Sequence, residues 1–336
     1  MRFSLKTAMS LPQEPKTTMI KCPFCNGEML VDGEKFTCFN CFKSGDIVDF
    51  LAARDNISHK LASWKSEKEK PNQKAQQEIF TANKIAAQYF SEQLNSKNYF
   101  TRRGLSEDTI VSFGLGYAPF ESDDFISFMK DNGVSEAALI DSGLIYLDGT
   151  FKSFFKKRVV FPIYDEKNNV VGFGGRRIND DVNSPKYLNT PENIVFHKKN
   201  LLYGLNKTVG NDTVYLVEGY MDVIALHQAG ITNAVAALGT AIGKHHCTLL
   251  SHLGVKNVIL ATDCDEPGTQ SALKSIPVLR EYFNVGVIRY ENAKDPDEFI
   301  KKFGAEAFKS IKPMHGDAFL IQNSKNGYSL AIDFLL

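Results

Sequence analysis

Acidic residues collect where apolar runs stop. "VILATDCDEPG", residues 258–268, begins as a segment that should be buried and ends with Asp263, Asp265 and Glu266 inside four residues. "TVYLVE" stops on Glu218, and "KDPDEF" supplies Asp295 and Asp297 with the same Asp-x-Asp spacing. Carboxylates within about 4–6 Å of one another repel, and some must take up protons at neutral pH unless a counter-charge is present. A divalent cation supplies it. Asp-x-Asp in an extended or turning segment sends both side chains to one side, and a Glu from a neighbouring strand end completes an oxygen site with open water positions, as Mg²⁺ prefers. Helix capping competes for the same residues, because Asp265 and Glu266 precede Pro267-Gly268 and Asp295 precedes Pro296. Asp297 is expected to serve partly as a cap.

A second constellation is Cys22, Cys25, Cys38 and Cys41, spaced C-x2-C, twelve residues, C-x2-C. Two thiolates three positions apart on a tight turn can face one cation, and two such turns surround zinc with sulfur. Disulfides are disfavoured, since no secretory signal precedes the cluster. "VDGEK" between the pairs carries the Asp-Gly of a two-residue hairpin turn. A zinc ribbon is therefore expected, with the metal supplying most of its folding free energy. Cys247, the seven histidines and Trp64 form no constellation and are read as structural.

The elements that must position the acids follow from periodicity. From residue 213, "TVYLVE", "NAVAAL", "KNVILAT" and "NVGVIRY" are short β-branched runs separated by segments of helical length. Strand, helix, strand in repetition means a parallel sheet with helices on its faces, and ligands bind at the carboxyl ends of such strands. Glu218, Asp263 and Asp265 fall at those ends. Upstream, "RVVFPIYDEKNNVVGFGGRR" reads as an antiparallel hairpin. Lys152, Lys156, Lys157, Arg158, Arg176, Arg177, Lys186, Lys198 and Lys199 crowd around it, interleaved with aromatic residues. Such charge neutralises phosphates and such rings stack on bases; a solvated surface over an aromatic core is the alternative. The glycines of "GFGGRR" would let the backbone approach a ligand while the arginines reach it.

Further upstream, Ile79, Ile85, Ala86, Tyr89, Phe90 and Leu94 recur at helical spacing, so a larger folded unit starts near residue 76. Residues 1–19 read as a leader, 20–60 as a zinc-ribbon DNA-binding domain with a short helix after Gly45, and 61–75 as a linker. A chain of 336 residues with 43% apolar content can bury a core, and its zero formal charge leaves any nucleic-acid partner to local basic patches. No apolar run approaches the roughly 18 residues of a membrane span, so a cytoplasmic location without membrane partners is expected. "LGTAIGKHH" is not a phosphate-binding P-loop, because only three residues separate Gly239 from Gly243 and His245 follows Lys244.

"LVEGYMDVIAL", "VAALGTAIGKHH", "VILATDCDEPG" and "DPDEFIKK" together resemble the Toprim domain of bacterial and phage DnaG-type DNA primases. "VVFPIYDEKNNVVGFGGRRI" through "SPKYLNTPENIVFHKKNLLYGL" is similar to the basic subdomain of that polymerase core, "YFTRRGLSEDTIVSFGLGYAP" to its opening segment, and "FTCFNCFKSGDIVDFL" to the second half of its zinc domain. The resemblance implies an α/β fold: zinc ribbon, α+β basic subdomain over 76–206, Toprim subdomain (Rossmann-like, parallel α/β) over 207–312 and a tail over 313–336. It also implies synthesis of short RNA primers on a single-stranded DNA template from nucleoside triphosphates by two-metal nucleotidyl transfer, with a replicative helicase acting in trans.

Carried onto matching positions, the resemblance makes Glu218, Asp263 and Asp265 the principal Mg²⁺ or Mn²⁺ ligands, while Asp222, Asp295 and Asp297 support a second ion or its waters. Lys157 or Arg158, Arg176, Lys186 and Lys198 would hold template or nucleotide phosphates, and Tyr187 and Asn189 would line the same groove. It places the protein at the nucleoid, or in host cytoplasm if phage-encoded. Departures remain: the family's zinc domain usually has His where this chain has Cys25, and the family commonly has Gly between the two aspartates where this chain has Cys264. Two rivals stand beside this reading, a Toprim-type metal-dependent nuclease and a non-catalytic zinc-ribbon DNA-binding replication factor.

Overall fold

Alternation of buried and exposed residues builds the first of two units, Met1–Gln77, in a computed structural model that describes residues 17–32, 35–46, 49–50, 52–53, 73–94, 98–178, 184–208 and 210–323. Strands β1 (Thr17–Lys21), β2 (Glu28–Asp32), β3 (Lys35–Cys38) and β4 (Ser44–Gly45) pair antiparallel in chain order. Met29 and Val31 of β2 and Phe36 and Cys38 of β3 point inward, where Phe24, Phe36 and Phe50 pack ring on ring. Asp32 pairs with Lys35, leaving two residues for the turn. β1 starts at Thr17, so the last residues of the expected leader belong to this sheet. Residues 49–50 and 52–53 are helical. The rest of the leader, the turn residues 33–34, Ile47, Val48 and Leu51 of the expected helix, most of the linker including Trp64, and residues 324–336 lie outside the described residues.

Helix α1 (Gln73–Glu92) runs from the end of the first unit into the second, Glu78–Leu336, where it buries Ile79, Ala82, Asn83, Ala86, Tyr89 and Phe90 along one stripe. Short helices α2 (Asn98–Arg102), α3 (Glu107–Ser112), α4 (Ser122–Asp131) and α5 (Glu136–Asp141) follow. Ser106 and Ser135 cap two of them through their hydroxyls. Strand β5 (Gly116–Ala118) and a hairpin of β6 (Ile145–Asp148) and β7 (Thr150–Ser153) are interspersed. The predicted hairpin is present as β8 (Arg158–Tyr164) and β9 (Val170–Arg177), joined by β10 (Tyr187–Asn189) in an antiparallel sheet ordered β10-β9-β8-β5. Its turn is fixed by Asp165, whose carboxylate accepts from the amides of Lys167 and Asn169 at 2.9 and 2.8 Å.

The glycines of β9 serve packing rather than ligand approach. A Cβ at Gly172, Gly174 or Gly175 would meet Phe196, Tyr220 or Phe155 at 2.6, 2.5 and 2.5 Å respectively, so each vacancy is filled by an aromatic ring of this chain. Tyr220 in turn stacks on Phe161 of β8 with centroids 4.9 Å apart, which ties this sheet to the next.

That next sheet has the order β11-β13-β12-β14-β15-β16, with β11 (Leu202–Tyr203), β12 (Thr213–Val217), β13 (Ala234–Ala237), β14 (Asn257–Leu260), β15 (Asn284–Val287) and β16 (Met314–His315). The four strands read from the sequence are the parallel centre, and antiparallel edges β11 and β16 were not foreseen. Helices α6 (Tyr220–Gln228), α7 (Lys244–His252), α8 (Glu266–Leu279), α9 (Pro296–Ser310) and α10 (Gly316–Asn323) complete it. Residues 314–323, expected as tail, instead contribute β16 and α10, because Phe319 and Leu320 bury against the same core as Ile276 and Val285. Among the described residues no helix is long and apolar enough to cross a membrane.

Candidate active site

The strand order places β12 beside β14, so the loops leaving their carboxyl ends are neighbours. Glu218 directly follows β12 and Asp263 lies three residues beyond β14. The backbone amide of Asp263 donates to Glu218 Oε1 at 3.1 Å. Asp265 caps α8 by accepting from the Gly268 amide at 3.0 Å, and Asp295 caps α9 by accepting from the Glu298 amide at 2.8 Å. Capping and charge convergence are thus the same arrangement: each cap fixes one carboxylate oxygen, and the second oxygen of Asp265 faces the Lys294 ammonium at 3.9 Å.

Asp297 is not a cap. Its carboxylate, only 5% exposed, takes Arg103 and Lys301 at 2.7 Å each through Oδ2, while Oδ1 has no hydrogen-bond partner among the described residues. Asp222, in the first turn of α6, accepts from the Gly219 amide at 3.1 Å. Burial, then the charges of Asp295, Asp263 and Asp297, push its carboxyl up to about 8. Asp263 is pushed up to about 6 by burial first and then by Glu218, Asp295 and Asp265. Glu218 reaches solvent, yet the surrounding protein and Asp265 still raise its proton affinity against the pull of the Asp263 amide.

These acids feel one another's charge, but they do not close a cage. Among the described residues, the one group of three or more candidate ligands whose donor atoms lie within 4.8 Å of one another is Cys22, Cys25, Cys38 and Cys41. Mg²⁺ characteristically uses one or two carboxylates and keeps several waters, so an open, oxygen-only set with raised proton affinity fits such an ion. The thiols fit a different one. Cys22 and Cys41 sulfurs are 3.8 Å apart and those of Cys25 and Cys38 3.5 Å, against about 3.8 Å for two thiolates on a tetrahedral zinc at Zn–S near 2.3 Å. Hydrogen bonds from the Asn40 side chain and the Gly27 backbone bring Cys25 down to about 6, toward the thiolate that metal binding requires.

The basic residues divide. Arg158 is buried, and its guanidinium donates to the carbonyls of Gly175, Pro185 and Lys186 and to Ser184 Oγ at 2.7–3.2 Å. With both terminal nitrogens bonded to the chain, it clamps the 184–186 segment, which leaves Lys157 as the more available of the two basic candidates. Lys157, at φ 52°, is exposed and sits over the Phe120 ring at 4.3 Å. Arg176 lies between the rings of Tyr99 and Tyr187 at 5.3 and 5.6 Å. Lys186 is exposed beside it and Lys198 half-buried. Asn189 is a link rather than a free lining group: its Oδ1 accepts from Tyr220 Oη at 2.5 Å and its Nδ2 donates to the Leu238 carbonyl at 3.0 Å.

Several contributors escaped the sequence reading. Arg289 donates to the Asp263 carbonyl and to Thr269 Oγ1 at 2.8 Å each, holding the acidic turn onto α8. Lys294 approaches Asp265 at 3.9 Å, and Arg103 reaches Asp297 across 194 positions of sequence. None of the three stands in a spaced motif. Gly268 is also required, since a Cβ there would lie 2.1 Å from the Asp263 carbonyl oxygen and 2.9 Å from Glu218 Oε1.

With this geometry in place, comparison with known proteins is direct. The family model described as DNA primase catalytic core, N-terminal domain, matches residues 80–209, and the Toprim-like model matches 215–300. A DNA primase of Clostridium acetobutylicum is 40% identical over 302 residues, covering 83% of this chain and 50% of that protein. The DNA primase of Escherichia coli K12 is 32% identical over 337 residues, covering 90% and 58%. The chain thus spans about half the length of the curated relatives it matches. Among solved structures, the zinc-binding and RNA polymerase domains of Aquifex aeolicus primase align with a TM-score of 0.70 at 30% identity, covering 96% of this chain and 85% of that one. A DnaG primase catalytic domain bound to single-stranded DNA aligns at 0.67 and 31%, covering 77% and 88%.

Proposed function

Because this chain belongs to the DnaG-type primase family, we propose that it synthesises short RNA primers on single-stranded DNA from nucleoside triphosphates. One observation carries the reading. Glu218 and Asp263 sit side by side on the ends of adjacent parallel strands with raised proton affinity, a charge deficit that divalent cations would relieve. Glu218, Asp263 and Asp265 would hold such ions, with Asp295 within charge range and Asp222 and Asp297 behind them. Bound there, Mg²⁺ or Mn²⁺ would polarise the α-phosphate and stabilise the departing diphosphate.

The chain's own residues do the rest. Gly268 lets the first turn of α8 close on the Asp263 carbonyl, and Arg289 holds that carbonyl in place. Arg176, Lys186 and Lys198 would neutralise template or nucleotide phosphates, with Lys157 extending the basic surface. The Tyr187 ring, partly exposed beside Arg176, would take a base. Asn189, locked between Tyr220 and Leu238, holds the strand that carries them. Zinc is the ion proposed for the four cysteines, whose unit would contact template DNA, and a replicative helicase is the proposed partner in trans.

Incubation of the purified protein with single-stranded DNA and labelled ribonucleotides, with and without Mg²⁺, tests the reading. Short labelled RNA should appear only with template and metal. Shortening of a labelled DNA in the parallel control, without primer, would favour the nuclease; neither product would favour the non-catalytic factor.

A further inference from the structure

The loop "GTAIG" that fails as a P-loop borders a cavity of about 490 Å³, which opens between it and α8 and has Glu218 in its wall. Gly239, Thr240, Thr262, Gln270 and Lys274 also line it. Gly239 stands at φ 72°, turning the chain sharply, and among the described residues the amides of Gly239, Thr240, Ala241 and Ile242 donate to no backbone or side-chain acceptor. Successive unclaimed amides in such a turn form a concavity that favours anions. Lys274 adds a full positive charge on the opposite wall. Thr262, 4% exposed, carries a hydroxyl with no partner among the described residues.

We propose that this cavity receives the diphosphate released by nucleotidyl transfer. The inference rests on the reading above and adds the place where the leaving group goes. In the reaction the primer's 3′-oxygen bonds to the α-phosphorus while the bridging bond to the β-phosphate breaks. The electron pair of that bond departs on the diphosphate, and the hydroxyl proton passes to water. Glu218 stands at the boundary between the acids and the cavity, so a diphosphate leaving the acids meets the amides of 239–242 and Lys274 without crossing the basic groove of β9 and β10. Charge decides the ligand class: set among apolar side chains such as Leu216, Leu260 and Pro267, the polar lining groups other than Glu218 are hydroxyls, amides and one ammonium, which suit phosphoryl oxygens better than a cationic molecule.

Calorimetric titration of the full-length protein with inorganic pyrophosphate in Mg²⁺ tests this without turnover. Binding should be measurable in the wild type, weakened about tenfold or more by Lys274→Ala, abolished by Ser271→Glu, which puts a negative charge on the cavity wall, and largely kept by Lys274→Arg. Single-stranded DNA binding should be the same in all of them. In primer assays, Lys274→Ala and Ser271→Glu should lose inhibition by added pyrophosphate, and Lys274→Arg should keep it. Equal pyrophosphate affinity in the wild type, Lys274→Ala and Ser271→Glu overturns the inference even if primers are made. Should the wild type make no primers while the affinities differ as expected, the cavity stands as an oxyanion site and it is the primase reading that fails.

Discussion

The Asp263 amide donates to the Glu218 carboxylate at 3.1 Å, joining the ends of two parallel strands through one acid's backbone and the other's side chain. The contact fixes Glu218 without neutralising it, so both carboxylates stay crowded and available. It is also why Gly268 matters. A methyl group there would collide with both partners of the bond, at 2.1 Å from the Asp263 carbonyl and 2.9 Å from Glu218. Gly268→Ala should therefore cost about 1–3 kcal/mol in urea unfolding and abolish metal-dependent nucleotide incorporation, while zinc content stays the same. Wild-type activity in that variant would mean that the turn moves freely and that this contact does not set the site.

Protonation gives a second expectation. A carboxyl whose proton affinity is higher in the folded than in the unfolded state stabilises the protein at low pH. That contribution fades as pH rises from the ordinary carboxylate value of about 4 through the folded values, about 6 for Asp263 and about 8 for Asp222. Metal-free protein should accordingly lose thermal stability between about pH 5 and pH 8, and Mg²⁺ should restore more at the upper end. Asp222→Asn should flatten the decline. A pH-independent melting temperature in metal-free protein would contradict the charge crowding.

Much of this was legible because it depends on local order. The β-branched runs marked the four central strands, and chain reversal after each one put acids at a common edge. The cysteine spacing likewise encodes a site that closes over twenty residues. Long-range contacts left no such trace. Arg103 meets Asp297 only because α2 and α9 are brought together by the core, and one of two adjacent arginines in "YFTRRG" looks like any surface residue. Edge strands of two residues, β11 and β16, are too short for alternation to show. The glycines of β9 misled for a related reason: a missing side chain signals close approach, but sequence does not say whether a ligand or the chain's own Phe196, Tyr220 and Phe155 will approach.

The sulfur cluster separates folding of the first unit from chemistry in the second. Its apolar centre is a handful of residues around Phe24, Phe36 and Phe50, too little to order a chain of that length without metal. Metal analysis should find a single tightly held zinc per chain. Chelation, or Cys38→Ser, should expose the first unit to protease while α1 and the two sheets of the second unit resist. Template-dependent initiation should fall, and Mg²⁺ stabilisation of the second unit should persist. A first unit that stays protease-resistant after zinc removal would overturn the metal's structural role.

Lys186 and Arg158 meet on the same segment yet should respond differently to substitution. The ammonium of Lys186 is exposed, whereas Arg158 is buried and hydrogen-bonds the Ser184 hydroxyl, the Pro185 carbonyl and the carbonyl of Lys186 itself. If Lys186 neutralises one phosphate of single-stranded DNA, Lys186→Ala should lower the magnitude of the slope of log K against log salt by about 0.7 with little change in unfolding free energy. Arg158→Ala should instead destabilise the protein by about 1–3 kcal/mol, because the buried Gly175 carbonyl and the part-buried Pro185 and Lys186 carbonyls lose their donor. Its DNA affinity should fall only as the segment loosens, through misplacement of Lys186 and Tyr187. Restoring charge with Lys186→Arg should recover the salt slope; Arg158→Lys, which lacks the planar fork, should not recover stability. An unchanged slope in Lys186→Ala would remove that residue from the phosphate path and leave Arg176 and Lys198 to carry it.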